Sequence, residues 1–504
     1  MKKYLLLLLA FGLTFTSCSK SDDVDSENPE PEIPVVKSVA DYPVQDFMWQ
    51  AMNAFYFWQE DVADLDDTKN DIEADYAEFL STDADPADFF YKICYNHERV
   101  VGESAAVDRF SFLSENYKDL VQRFQGVSKS DGVEFGLGRY GDAREVFGYV
   151  RYIVPGSDAD GKDIQRGDIF IGVNGTNLTL DNYVELLFGD LDTYTMNFAT
   201  LANNTITASG RELSLTKEEG FSENPILITK VIEEGGIKIG YLMYNSFVAA
   251  FDEQLNDAFG ELKTAGVTEL ILDFRYNGGG RVSSALQIAS SVYGTKTNEL
   301  FLKARYNNKI QSTFDPGDGE SNFVATTIDG SPINALDLTK VYVITTRSTA
   351  SASELVINGL EPYVDVVQIG TTTVGKNEFS VTFVDDRANN FFYDEDREAN
   401  INPDNQWAIQ PLLGRNENAD GFSDYTGGLV PDNELDEDIA NLGVLGESSD
   451  PLLALTLNVI SGTTSKSSFV PIFPVDLISS SAVMKGTNDM MLMDGLIKSN
   501  MNQK

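Results

Sequence analysis

The sequence predicts a multi-domain α/β (α+β) protein: a helical N-terminal region, a small β-rich middle domain, and a mainly parallel α/β domain after it. Three observations predict this. From about Ile226, apolar strand-like runs alternate with amphipathic helical ones. The stretch after Gly132 consists of short β-rich runs punctuated by glycine. Tyr42 to about Phe124 space aromatics and methionines at helical intervals.

The N-terminal element rests on "VQDFMWQAMNAFYFWQEDV", whose stripe reads as a core-facing helix. The middle element, about 126–218, rests on runs such as "VEFGLGRYG" and "GDIFIGVNG", with "DNYVELLFG" as a helix capped by Asp181. In the third element, 225–465, "IKIGYLMYNSFV", "TELILDF" and "KVYVITT" read as buried strands. Between them "FDEQLNDAFGELKTAG", "VSSALQIASSVYG" and "SELVINGLEPY" read as helices. Such alternation implies crossover units around a parallel sheet. Its functional loops then gather at the carboxyl ends of the strands. Within this element 385–407 is an acidic, aromatic insertion, expected to be a solvated loop. The tail 466–504, with "MMLMDGLIK", either docks on the body or meets a partner.

Composition bounds the function. At 504 residues the chain exceeds one ordinary core. Its 79 Asp plus Glu against 37 Lys plus Arg give a net charge of -42, which argues against nucleic acid as a partner. The start, "MKKYLLLLLAFGLTFTSC", has the layout of an export signal over 1–17. It resembles bacterial lipoprotein signals, which implies lipid attachment at Cys18 and an envelope location. Thr16 and Ser17 fit that pattern, whereas Phe15 stands where leucine is usual; a plain secretory signal is the alternative. Residues 18–39 are acidic and Pro-rich, the composition of a flexible tether. With Cys18 lipidated, only Cys94 remains, which excludes a disulfide framework and a four-cysteine zinc site. "DADGKD", Asp158 to Asp163, suggests a calcium loop, but the twelfth position is Ile169 where a bidentate Glu is needed. A tight acidic turn is the better reading, and no metal or cofactor is called for.

Two strand ends carry chemistry. "DFRYNGGGR", Asp273 to Arg281, leaves backbone N–H groups unobstructed, as a ligand-binding turn or simply a flexible one. "STASASELVING" puts Ser351 at a strand-to-helix junction, where a hydroxyl rises above the sheet beside the N–H of Ala352. Against that, Ser348, Thr349, Ser351 and Ser353 are all good helix caps. A nucleophile needs a base, and the single histidine, His97, lies in the helical region. A lysine kept neutral by burial is the other choice. Lys376, after a Gly-rich turn, qualifies by position, although on its own it reads as a solvated lysine. "SLTK", Ser214 to Lys217, satisfies a penicillin-interacting Ser-x-x-Lys pattern, but its surroundings alternate like a strand.

Together these motifs resemble the C-terminal processing peptidases, or tail-specific proteases, over about residues 40–460. "DFRYNGGG", "STASASEL" and "TTTVGK" match the family's glycine, serine and lysine segments in order. "GGLVPDNELDED" and "DPLLALTLNVI" match its closing turn and last helix, and "DRFS", Asp108 to Ser111, the end of its N-terminal region (here 40–125). "FGLG" with "VPGSDADGKDIQRGDIFIGVNG" resembles a PDZ domain. The resemblance implies a catalytic domain of the ClpP/crotonase-like type and a Ser-Lys dyad, with Ser351 as nucleophile and Lys376 as general base. It implies an oxyanion site on the N–H groups of Ala352 and Gly279. It also implies that Phe135, Gly136, Leu137 and Gly138 bind a polypeptide substrate by β-addition. The family's lysine-orienting glutamine falls at Ser380 here, so Ser380 or Glu354 takes that role. A catalytically inactive peptide-binding lipoprotein is the alternative function.

Overall fold

The computed structural model describes residues 37–139, 144–463, 473, 476–486 and 490–493. Cys18 and the signal reading fall outside them, as does the tether up to residue 36.

Alternating side chains divide the main sheet into two buried faces. Ile237–Tyr244, Glu269–Asp273, Lys340–Thr345 and Asp365–Gly370 are strands, so successive side chains point to opposite sides. Leu242, Leu270, Leu272, Val341 and Val343 share a core with the helices Asp252–Ala265, Val282–Tyr293 and Ala352–Leu360. Tyr241, Met243, Ile271, Tyr342 and Ile344 face Leu452, Leu453 and Leu457 of helix Pro451–Ile460. An antiparallel strand, Ile226–Glu234, flanks Ile237–Tyr244, and the remaining pairings through Asn433–Glu434 are parallel. This is the mixed α/β architecture the alternation predicts.

A second sheet runs Gly279–Arg281, Met490–Leu492, Glu378–Ser380, Leu412–Glu417, Leu300–Tyr306 and Glu320–Asn322. Its second strand comes from the C-terminal segment. The middle region forms a third sheet around its own core of Phe135, Leu137, Val150, Phe170, Met196 and Phe198. There too an edge strand, Asp476–Ser480, comes from the C-terminal segment. The short helix is Tyr183–Phe188, but Asp181 does not cap it; its carboxylate pairs with Arg144. Ser214 lies in the strand Thr205–Thr216, which removes the Ser-x-x-Lys reading. Asp158 accepts from Lys162 (2.6 Å) and Thr216 N (2.7 Å), an acidic turn closed on itself.

Residues 385–407 depart from the solvated loop expected. Phe391 and Phe392 are buried and meet Phe47 and Phe55 of helix Pro43–Phe55 at centroid distances of 5.7 and 5.0 Å. The acids beneath them are paired: Arg397 with Asp386 at 2.8 Å, and Arg387 with Asp46 of the same helix at 2.8 Å. Composition shows these acids, arginines and aromatics but not which of them pair, nor that the two rings pack on helix Pro43–Phe55.

Candidate active site

Strand Lys340–Thr345 leaves the main sheet at its carboxyl end and turns into helix Ala352–Leu360. Ser351 sits at the turn with φ 65° and ψ -113°. Positive φ in a residue with a Cβ costs about 1–3 kcal/mol and persists only where its surroundings fix it. The four hydroxyls of this segment sort themselves by partner. Thr349 Oγ1 donates to Phe274 O (2.8 Å), Ser353 Oγ to Asn277 O (3.1 Å), and Ser348 Oγ accepts from Arg151 (3.2 Å). Ser351 Oγ, fully buried, has no hydrogen-bond partner among the described residues. Ser351 is the N-cap of this helix and shares a capping box with Glu354, which accepts from its N–H (2.7 Å), but its hydroxyl itself is not engaged at hydrogen-bond distance. Its hydroxyl is left over for something else.

The glycine turn faces it. A Cβ at Gly279 would collide with Ser351 Cβ, Ala352 N and the carbonyl oxygen of Met490, so only glycine admits this approach. Asn277, fully buried, fixes the turn: its amide donates to Tyr244 O (2.8 Å), and its backbone O accepts from Ala350 N (3.1 Å). Its side-chain oxygen accepts from Gly279 N (2.9 Å). That N–H is thus already engaged and must share or exchange this bond to receive an oxyanion. Ala352 N, by contrast, opens the helix, where N–H groups have no intrahelical acceptor.

Lys376 is 1% exposed and lies with its Nζ 5.1 Å from the ring centroid of Phe110. What joins it to the serine is Glu354. This buried carboxylate accepts from Ser351 N (2.7 Å), Lys376 N (2.9 Å), Gly375 N (2.7 Å) and the hydroxyl of Thr373. One side chain thereby pins the serine turn to the lysine turn. Burial pushes its carboxyl up to about 7, against the lowering effect of those four donors. Glu354 therefore holds the backbone at Lys376. Ser380 lies in strand Glu378–Ser380, where Gln410 donates to its hydroxyl at 2.9 Å.

Two residues at the lysine carried no local sign of it. Arg109 donates to Gly375 O (2.6 Å) and Thr426 O (3.1 Å), and Phe110 supplies the ring beside the Lys376 amine. Both belong to "DRFS", legible only as the close of the N-terminal region. Asp108 anchors it by accepting from Tyr56 OH at 2.6 Å and Ser111 N at 2.9 Å. His97 is elsewhere: Nε2 meets Ser111 O (2.9 Å), Nδ1 accepts from Arg99 N (3.1 Å), and the ring lies 4.6 Å from Tyr91. Asp273 and Arg275 are structural, since buried Arg275 also binds Asp450 (2.6 Å) and so fastens helix Pro451–Ile460 to the sheet. Phe135, Gly136, Leu137 and Gly138 lie in strand Val133–Arg139 of the third sheet; the last three pair with Asp476–Ser480, and Phe135 N donates to Ser481 Oγ (3.0 Å).

Residues 238–411 match peptidase family S41, and residues 43–112 match the peptidase S41 N-terminal domain. The chain belongs to this family, that of the C-terminal processing peptidases. All of the serine, glycine and lysine turns fall within the S41 match, and Asp108, Arg109 and Phe110 within the N-terminal one. Over 234 residues the chain is 26% identical to the chloroplastic C-terminal processing peptidase of Tetradesmus obliquus, covering 44% of this chain and 46% of that protein. Over 283 residues it is 25% identical to the carboxyl-terminal-processing protease of a Picosynechococcus, covering 55% and 62%. The matches thus span about half to three-fifths of those relatives' length. The crystal structure of a putative S41 protease from Bacteroides fragilis is similar, with 26% identity and a TM-score of 0.62 over 83% of this chain and 97% of that one.

Proposed function

We propose that this S41 chain is a serine endopeptidase acting through Ser351 and Lys376. The observation that carries the reading is the sorting of hydroxyls: three are bound to structure, and the fourth, strained and unpartnered, faces the glycine turn. Ser351 Oγ attacks the peptide carbonyl while neutral Lys376 Nζ takes its proton, and Lys376 returns that proton to the leaving amine. The resulting acyl-enzyme is hydrolysed by water that Lys376 activates in turn. Ala352 N–H, with Gly279 N–H exchanging away from Asn277, stabilises the developing oxyanion. Every step uses groups of the chain itself.

The middle sheet is proposed to act as a PDZ-type clamp, adding an extended polypeptide to Val133–Arg139 through the backbone of Phe135 to Gly138. That this edge accepts an antiparallel strand supports the reading. Among the described residues no helix is long and apolar enough to cross a membrane. We place the protein in the cell envelope, held there by lipid on Cys18. The test is cleavage of an unstructured protein, followed by mass spectrometry beside Ser351→Ala and Lys376→Ala. Loss in both supports the dyad; a Ser351→Ala chain that cuts as fast as the parent overturns it.

A further inference from the structure

The C-terminal segment enters both peptide sites. Asp476–Ser480 adds antiparallel to Val133–Arg139, pairing Ser479 with Leu137 and Ser480 with Gly136. Ser481 Oγ then accepts from Phe135 N (3.0 Å) and donates to Glu134 (2.6 Å). Upstream, Phe473 is buried and meets Phe147 at 6.1 Å. Farther on, Met490–Leu492 adds parallel to Gly279–Arg281, with Met490 N donating to Gly278 O at 3.0 Å. On its other side the same strand meets Glu378–Ser380, where Met493 N donates to Ser380 O at 3.0 Å.

The placement at the serine is specific. Met490 O lies against Gly279 together with Ser351 Cβ and Ala352 N, the three groups a Cβ there would strike. A peptide carbonyl oxygen thus lies beside both the glycine turn and the serine turn. Met490, Met491, Leu492 and Met493 are each at most 5% exposed, and Asn416 Nδ2 reaches Met491 Sδ at 2.8 Å. Main-chain hydrogen bonds on two flanks, with alternate side chains in apolar pockets, is how extended peptides are recognised.

We propose that the chain's own C-terminal segment stands in the place of substrate, holding the enzyme closed in cis and showing what it takes: an extended polypeptide with consecutive Met- or Leu-like side chains. This rests on the peptidase reading. It adds that a peptide must displace this segment before it can be cut. A tethered occupant competes at a high effective concentration, so the closed state dominates until the strand is weakened. Met490→Pro removes the N–H given to Gly278, and Met491→Asp puts a charge in the apolar pocket; neither alters a residue of the serine or lysine turn.

The experiment uses the full chain. A fluorescent peptide carrying the sequence of residues 476–493 is added in trans to the parent and to both variants, with binding read by anisotropy. The two variants should bind at least about tenfold tighter than the parent, and should cleave an unstructured protein correspondingly faster. Because a variant can fail to fold, hydrogen exchange is measured on the parent. Amides of 476–480 and 490–493 should exchange ahead of those of Glu269–Asp273, and faster still with excess peptide. Tail amides as protected as that central strand and indifferent to peptide would overturn the proposal, as would equal peptide binding by parent and variants. Peptide binding and exchange as expected, with no cleavage by any form, would support the tail assignment and refute the peptidase reading.

Discussion

The serine turn and the lysine turn reach one site by opposite routes. The serine turn is local: a strand, a strained residue and a helix in unbroken succession, with Glu354 three positions on returning to Ser351 N. The lysine turn is assembled from afar. Arg109, 266 positions away in sequence, holds Gly375 O, and the Phe110 ring lies beside the amine. Thr426 O and Gly428 N crowd Gly375 from a third segment. Local geometry creates the hydroxyl's position; tertiary packing creates the amine's. Substitutions near the serine should therefore act on chemistry directly, whereas those around the lysine should act through placement.

The largest effects belong to the two reacting groups. Ser351→Ala should lower kcat by ~10⁴-fold or more, and Lys376→Ala by ~10³-fold or more, as for groups that act as a unit. The double variant should be scarcely worse than Ser351→Ala alone, measured on the same unstructured substrate. Additive losses would mean that the two turns work independently and would dissolve the dyad.

Next comes Glu354, the one side chain that belongs to both turns. With its carboxyl at about 7 in the folded protein, above the ordinary 4.5, a proton arrives as pH falls through 7. The N–H groups of Ser351, Gly375 and Lys376 bond a carboxylate more strongly than a neutral carboxyl, so protonation weakens its hold on both turns. Activity should accordingly rise with pH through about 7. Stability should move the other way: the folded state binds more protons than the unfolded one between about 4.5 and 7, so this group's contribution is full below 4.5 and is lost as pH rises through 7. Glu354→Gln should remove that inflection from the pH profile. It should also cost about 1–3 kcal/mol by leaving buried N–H groups poorly paired. An inflection unchanged in Glu354→Gln would assign it to another group.

The same contrast explains what was legible. The parallel sheet showed in the sequence because each strand is apolar and each helix amphipathic, patterns that need only neighbouring residues. Ser351 showed because its junction is a local event. Gly279 showed as part of a glycine run, but not that Asn277 occupies its N–H. Arg109 and Phe110 gave no local signal, since nothing in "DRFS" says which distant carbonyl or amine it meets. Residues 385–407 misled for a related reason: their charges are visible in the sequence, but not that Arg397 pairs with Asp386 or that Arg387 reaches Asp46 on a distant helix. For the tail, docking on the body and meeting a partner both stayed open, because its partners, Gly279–Arg281 and Val133–Arg139, lie far upstream.

Around the lysine the expected effects shrink. Phe110→Ala removes a ring that stabilises the ammonium formed when Lys376 takes the serine proton, worth about 0.5–2 kcal/mol, so kcat/KM should fall by roughly two- to thirtyfold. Phe110→Leu, which keeps bulk but not the π face, separates placement from charge stabilisation: recovery in Leu would show that Phe110 acts by packing alone. His97→Ala should do least. Its ring caps the short helix Glu98–Val101 and braces Ser111, contacts worth about 1 kcal/mol of stability, yet it reaches Lys376 only indirectly, through Ser111 and the adjoining Phe110. Cleavage by His97→Ala at the parent rate, with a slightly lower Tm, fits a lysine base; a loss of kcat comparable to that of Lys376→Ala would return the histidine to the mechanism.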